Sequence, residues 1–135
     1  MLERFGVSIE KKILERFDAY IKKHGYQNRS EALRDLMRDK FVEEEWKEEG
    51  GEAVATLTLV YNHSARQLSE KLTDLQHEYG ALIISTLHVH LNHHDCLEVL
   101  VMRGPTKDIK QAAAYLLATK GVKHGKLVKT GKELL

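Results

Sequence analysis

A single cysteine is all the thiol chemistry this chain has. No disulfide can close within it, and a thiol that must stay reduced belongs in a reducing compartment, so the cytoplasm is the expected location. No stretch approaches the ~18 consecutive apolar residues of a membrane span. The first residues, Met1-Leu2-Glu3-Arg4-Phe5, lack the charged-then-apolar pattern of an export signal. Excess charge is missing too: 21 Lys and Arg stand against 20 Asp and Glu. That balance argues against a general nucleic-acid coat but leaves room for a focused basic patch. Low-complexity segments are absent. What remains is 135 residues of ordinary globular composition, enough for one domain of usual size or two small ones.

Against this plain background one stretch organises the chain, Ser85-Thr86-Leu87-His88-Val89-His90-Leu91-Asn92-His93-His94-Asp95-Cys96-Leu97-Glu98. In a strand, side chains at i and i+2 share a face, so His88 and His90 point the same way. Leu87, Val89 and Leu91 take the other face, which reads as core. Asn92 to Asp95 is a polar, turn-like run, followed by a second alternating segment, Leu97-Glu98-Val99-Leu100-Val101. Folded as a hairpin, the stretch brings Cys96 roughly opposite His90. Two imidazoles and a thiolate on one patch are most of a transition-metal site. The competing interpretation is a half-exposed strand with two polar histidines and an inert thiol.

Taken in order, Arg4 to Ile9 alternates, with Phe5, Val7 and Ile9 on one face and Arg4, Gly6 and Ser8 on the other. The alternation predicts a short strand. A helix is expected from Glu10 to His24, with Ile13, Leu14, Phe17, Tyr20 and Ile21 on its apolar stripe and Gly25 as its stop. Asn28-Arg29-Ser30 precedes a second helix carrying Leu33, Leu36, Met37 and Phe41. Ser30 is the expected N-cap, without a full capping box because Leu33 stands where Glu or Gln would be. A strand and two helices of about 42 residues bury too little to be stable alone. Pairing the strand with that of a second chain gives a two-stranded ribbon with four helices, the ribbon-helix-helix architecture. Its outward side chains Arg4, Gly6 and Ser8 would then enter a DNA major groove. The alternative is an N-terminal arm of a larger α/β fold.

Glu43 to Gly51 is an acidic run ending in a glycine pair, a helix tail expected to become a hinge. This places a domain boundary there, with residues 1–48 before it and 49–135 after. From Ala53 the pattern reads strand, helix (Ala65, Leu68, Leu72, Leu75, Tyr79), the two strands of the His-x-His hairpin, helix (Ile109, Ala112, Ala113, Leu116) and a last strand from Val122 to Lys129. The order βαββαβ is ferredoxin-like, so the fold class is α+β. Both helices are expected to cover the face holding Leu87, Val89, Leu91, Leu97, Val99 and Val101. His88, His90, Cys96 and Glu98 would then lie on the open face, which should meet another subunit.

The ribbon-helix-helix start, Gly25-Tyr26-Gln27-Asn28-Arg29-Ser30-Glu31-Ala32-Leu33-Arg34-Asp35, Leu87-His88-Val89-His90 and Asp95-Cys96-Leu97-Glu98 together resemble the nickel-responsive repressors of the NikR type. The resemblance covers essentially the whole chain. It implies a homotetramer, a dimer of dimers, whose ribbon domains bind a palindromic double-stranded operator around a core of ferredoxin-like (ACT-like) domains. It also implies one Ni(II) per chain, held by His88, His90 and Cys96 and by His77 of a neighbouring chain. By itself His77 is an ordinary helix-end histidine, favoured there by the dipole. Its helix should pack on the face opposite His88 and His90, out of reach of its own chain's site. Three imidazoles and a thiolate suit planar Ni(II) or Cu(II), with tetrahedral Zn(II) also open.

Glu98 and Gln76 are candidates to orient the ligand rings, or else solvated polar residues. The same resemblance implies base reading by Arg4, Gly6 and Ser8, although the family usually has a base-contacting side chain where Gly6 stands. Asn28, Arg29 and Ser30 are candidate phosphate contacts at a helix N-terminus, and otherwise an ordinary turn and cap. Glu31 and Asp35 match a second, weaker cation site at the domain interface. A metal saturated by protein ligands has no open position for substrate, and no base with an orienting partner surrounds Cys96, so neither an enzyme nor a small-molecule substrate is expected. The alternatives are a regulator sensing another metal or ligand, or an antitoxin-like repressor that would be indifferent to loss of His88, His90 and Cys96.

Overall fold

Two units of dense internal contact divide the chain, Met1–Lys40 and Phe41–Leu135. The computed structural model describes residues 1–47 and 50–131, and only the backbone of Arg66 and Gln76. In the first unit, residues 1–10 are exposed and form no strand. The expected strand from Arg4 to Ile9 is therefore absent from the isolated chain. A strand is defined by the backbone it pairs with, and this segment has no partner strand among the described residues of its own chain. Its apolar face is left bare, with Phe5 67% and Val7 63% exposed.

Helix α1 (Lys11–Lys23) ends at His24. Gly25 follows at φ +76°, a conformation glycine adopts at little steric cost. The reversal is closed by Tyr26 N–H to Ile21 O at 3.0 Å and Gly25 N–H to Lys22 O at 3.3 Å, the pairing of a Schellman turn. Helix α2 spans Arg29–Lys47. Its cap corrects the expectation of Ser30: Asn28 Oδ1 accepts the Glu31 N–H at 2.9 Å, and Ser30 is already in the first turn. Asparagine at N-cap with glutamate three residues on is close to the capping-box pattern that a Ser30 cap lacks. We expect Asn28→Ala to lower stability by about 1 kcal/mol, read from the denaturant midpoint, and Ser30→Ala to change it much less.

The second unit is a four-stranded sheet in the order β2-β3-β1-β4, with β1 Glu52–Asn62, α3 Arg66–Tyr79, β2 Ile83–His90, β3 Asp95–Pro105, α4 Thr106–Leu117 and β4 Val122–Gly131. All neighbouring strands are antiparallel. This is the βαββαβ order expected. One face of β1 (Ala53, Ala55, Leu57, Leu59, Tyr61) joins Leu100 and Met102 of β3, Leu68 and Leu75 of α3, and Ile109, Ala112 and Leu116 of α4 in the core. Each large aliphatic side chain so buried contributes roughly 1.5–3 kcal/mol. Gly125 lies beneath α4: a Cβ there would meet the Leu117 side chain and come within 2.9 Å of Thr58 O, so the strand needs glycine at this point.

The acidic run is helical as far as Lys47, and Glu48 and Glu49 lie outside the described residues. Composition hid its anchor, Trp46. The indole is buried and donates from Nε1 to Thr130 O of β4 at 3.0 Å. Lys110 of α4 donates to Trp46 O at 2.8 Å.

The sheet faces are the reverse of those expected. Cys96 and Glu98 are 1% and 7% exposed, whereas Leu87, Val89 and Leu91 are 59%, 42% and 50% exposed. Strand register explains this: Cys96 and Glu98 pair with Tyr61 and Leu59 of β1, whose side chains face the helices. His88 and His90, opposite Glu98 and Cys96, share that helix-side face. They remain exposed because β2 is an edge strand.

Candidate metal centre

A short turn sets the geometry of the hairpin between β2 and β3. Leu91 N–H donates to Asp95 O at 2.9 Å. Asn92 Oδ1 accepts the N–H groups of His94 and Asp95 at 2.8 and 2.9 Å, an Asx arrangement that this residue type favours. Lys123 of β4 pairs with the Asp95 carboxylate at 2.7 Å and holds its pKa below the usual carboxylate range. With the turn closed in this register, His90 stands opposite Cys96 and His88 opposite Glu98.

One donor atom each from His88, His90 and Cys96 lies within 4.8 Å of the other two, and Cys96 Sγ is 3.4 Å from His90 Nδ1. Ligands on a four-coordinate ion, bound at about 2.0–2.3 Å, are themselves roughly 3–4.5 Å apart. The three donors therefore fit one ion with little rearrangement. Thiolate with imidazole is a donor set for Ni(II), Cu(II) or Zn(II), and three donors leave the fourth position of such an ion to be filled.

Behind the donors is a buried polar pair. Glu98 Oε2 is 2.7 Å from His88 Nδ1 and accepts the Tyr61 hydroxyl at 3.1 Å. That hydroxyl is also 3.1 Å from His88 Nδ1. Burial, followed by the charge of Glu98 and their hydrogen bond, raises the Tyr61 pKa well above its usual value, so the phenol keeps its proton and donates. A carboxylate that is ionised only accepts, so a His88 Nδ1 bonded to it carries the hydrogen, and Nε2 is then the nitrogen that can bind an ion. Tyr61 escaped the sequence reading because it is 27 residues from His88. Its only signal was being the last inward residue of an alternating strand.

The remaining sequence candidates lie elsewhere. His77 is exposed near the C-terminal end of α3. That helix starts just after Asn62, beside the strand end that pairs with Asp95 and Cys96, and runs back along the sheet. Eleven residues past Arg66, His77 is about 16 Å further along the helix axis. It stays out of its own chain's cluster because it is at the wrong end of the helix, not because the helix covers the opposite face. The Gln76 side chain lies outside the described residues. Asp35 accepts Tyr26 OH at 2.8 Å and Arg38 Nη1 at 3.0 Å, and the first bond pushes the Tyr26 pKa up to about 12. Glu31 is half-buried one helical turn away.

Arg29 grips both carboxylate oxygens of Asp18 at 2.9 Å, which lowers the Asp18 pKa. Arg4, Gly6 and Ser8 are fully displayed on the unpaired N-terminal segment, and Asn28 and Ser30 are exposed at the start of α2. Among the described residues no helix is long and apolar enough to cross a membrane.

Comparison with known proteins reaches both units. Residues 54–130 match the family described as the NikR C terminal nickel binding domain, and residues 3–44 the ribbon-helix-helix protein, copG family. A relative from Geobacter sulfurreducens, provisionally named a nickel-responsive regulator, is 56% identical over 133 residues, 97% of this chain and 96% of its own. One from Pyrococcus abyssi with the same provisional name is 54% identical over 136 residues, 99% of each chain. Another so named, from Caldanaerobacter subterraneus subsp. tengcongensis, is 54% identical over 127 residues, 94% of this chain and 82% of its own.

Proposed function

The chain belongs to the family of nickel-responsive regulators, transcription factors rather than enzymes, and from that membership we propose that it is a nickel-dependent repressor of the cytoplasm. It binds a palindromic operator as a homotetramer when its second domain, residues 49–135, holds Ni(II). One ion per chain is bound by His88, His90 and Cys96 together with His77 of a neighbouring chain, and Glu98 and Gln76 orient the rings. The observation that carries this is the cluster of two imidazoles and a buried thiol within 4.8 Å, three donors of a four-donor site. The bare sheet face of Leu87, Val89, Leu91 and Val128 supports burial against another copy, since apolar patches of that kind mark contacts.

DNA binding is assigned to residues 1–48. A second copy supplies the pairing that residues 4–9 lack, and the ribbon so formed presents Arg4, Gly6 and Ser8 to the bases. Arg4 is suited to guanine and Ser8 discriminates little. The first-turn amides at Arg29 and Ser30, next to Asn28, suit a phosphate. The guanidinium of Arg29 must leave Asp18 to make such a contact itself. Glu31 and Asp35 form the second, weaker cation site, where a cation competes with Arg38 for the Asp35 carboxylate.

Metal and DNA are bound by different domains, so nickel acts by favouring one arrangement of the ribbons, limited by its differential affinity for the arrangements. Linkage then requires operator DNA to tighten nickel binding by the factor by which nickel tightens operator binding. Operator binding with and without nickel tests the proposal. His88→Ala should lose the nickel response and keep salt-sensitive, weakly specific binding; an undiminished response in that variant sinks the sensor. Arg4→Ala should weaken operator affinity by roughly 1–3 kcal/mol and leave metal affinity in the absence of DNA unchanged.

A further inference from the structure

We infer that Tyr61 is a positioning residue of the metal centre, selecting the tautomer of His88 through Glu98. The inference builds on the proposed nickel site, but its first test needs no metal. A neutral imidazole carries its proton on either nitrogen, and only the nitrogen without it can bind an ion. Here the choice is made by a buried carboxylate 2.7 Å from Nδ1. Glu98 is itself buried in the sheet, and an ionised carboxylate there needs donors on its oxygens. Tyr61 supplies one, donating to Glu98 Oε2 at 3.1 Å, while its oxygen stands 3.1 Å from His88 Nδ1. Nδ1 of His88 is thus held by two oxygens, and Nε2 is the nitrogen left for an ion.

Strand geometry makes the device rigid. Tyr61 projects from β1 opposite Cys96, and Glu98 from β3 two residues on. Tyrosine, carboxylate and thiol therefore share one face of two paired central strands. Only His88 and His90 stand on the edge strand, where a ring is otherwise free to rotate. Removing an outer hydrogen-bond partner of a metal-binding histidine typically costs 10–100-fold in affinity.

Nitrogen-15 NMR of the metal-free protein, at about pH 8 where imidazoles are ordinarily neutral, reads the tautomer directly. The unsubstituted protein should show His88 protonated at Nδ1, and Tyr61→Phe should show a mixture of the two forms. Nickel titration of Tyr61→Phe should give about tenfold weaker binding with the thiolate-to-metal band unchanged in position. Glu98→Gln, which removes the charge, should release the tautomer further. A second measurement covers the case in which Tyr61→Phe does not fold. In the unsubstituted protein the Tyr61 hydroxyl proton should exchange slowly with water and show a nuclear Overhauser contact to the His88 ring. Wild-type tautomer and affinity in Tyr61→Phe overturn the inference, as does a freely exchanging hydroxyl. Failure of the unsubstituted protein to bind nickel would instead overturn the sensor, leaving the tautomer result to stand by itself.

Discussion

Cys96→Ala is expected to abolish the near-ultraviolet charge-transfer band that Ni(II) produces with this protein. Such a band needs a thiolate on the metal, and Cys96 is the only sulfur of that kind in the chain. Affinity should fall by more than the roughly 100-fold that loss of an outer partner alone can cause. The nickel dependence of operator binding should go with it. Fold loss is not the cause: Cys96 is buried on β3, and taking one sulfur from a core side chain costs about 1 kcal/mol, small beside the stability of a domain. Absorption titration with circular dichroism of the same samples separates the two. A variant that keeps both band and affinity would remove Cys96 from the site. Cu(II) should bind the unsubstituted protein more tightly than Ni(II) in vitro, because affinity follows the Irving–Williams order and selectivity must come from geometry and supply.

Mixing two inactive variants should restore nickel binding. His77→Ala chains keep His88, His90 and Cys96 but offer no fourth ligand to a neighbour; His88→Ala chains offer His77 but hold an incomplete cluster. Each alone is expected to bind nickel weakly. In hybrid tetramers a complete site forms wherever a His77→Ala chain receives His77 from a His88→Ala neighbour, so part of the high-affinity signal returns. The expectation rests on where α3 runs: His77 is near the helix end remote from Cys96, a distance no rotamer spans. Subunit exchange is verified separately by mass spectrometry of isotopically labelled chains. Exchange without recovery would contradict a site shared through His77.

Much of the fold was legible because it rests on periodicity and punctuation. The alternation of β1, the 3.6-residue spacing of Leu68, Leu72, Leu75 and Tyr79, and the glycine beyond α1 place the elements within a few residues. The βαββαβ order then points to one sheet with both helices on one side. Misassignments came where two choices look alike locally. Asn28 and Ser30 are both good caps two residues apart, and the folded chain uses Asn28 to cap α2. The acidic run around Trp46 reads as solvated because its charges outnumber its one indole, yet the indole is what the core takes in.

The convergence of His88, His90 and Cys96 was determined by sequence alone, since i, i+2 spacing and a short polar turn bring them together on whichever face they occupy. That face was a tertiary decision. In β3 both sets, Cys96-Glu98-Leu100-Met102 and Leu97-Val99-Val101, are apolar enough to be core, so alternation has no preference. In β2 the apolar set Leu87-Val89-Leu91 argues for the wrong side. Register against β1 settled the matter by aligning Cys96 with Tyr61 and Leu100 with Leu57, where α3 and α4 bury them. The polar partners of His88 were decided in the same way. A hydrogen bond between residues 27 apart in the chain, on strands that both pair with β3, depends on the assembled sheet, which no single segment carries.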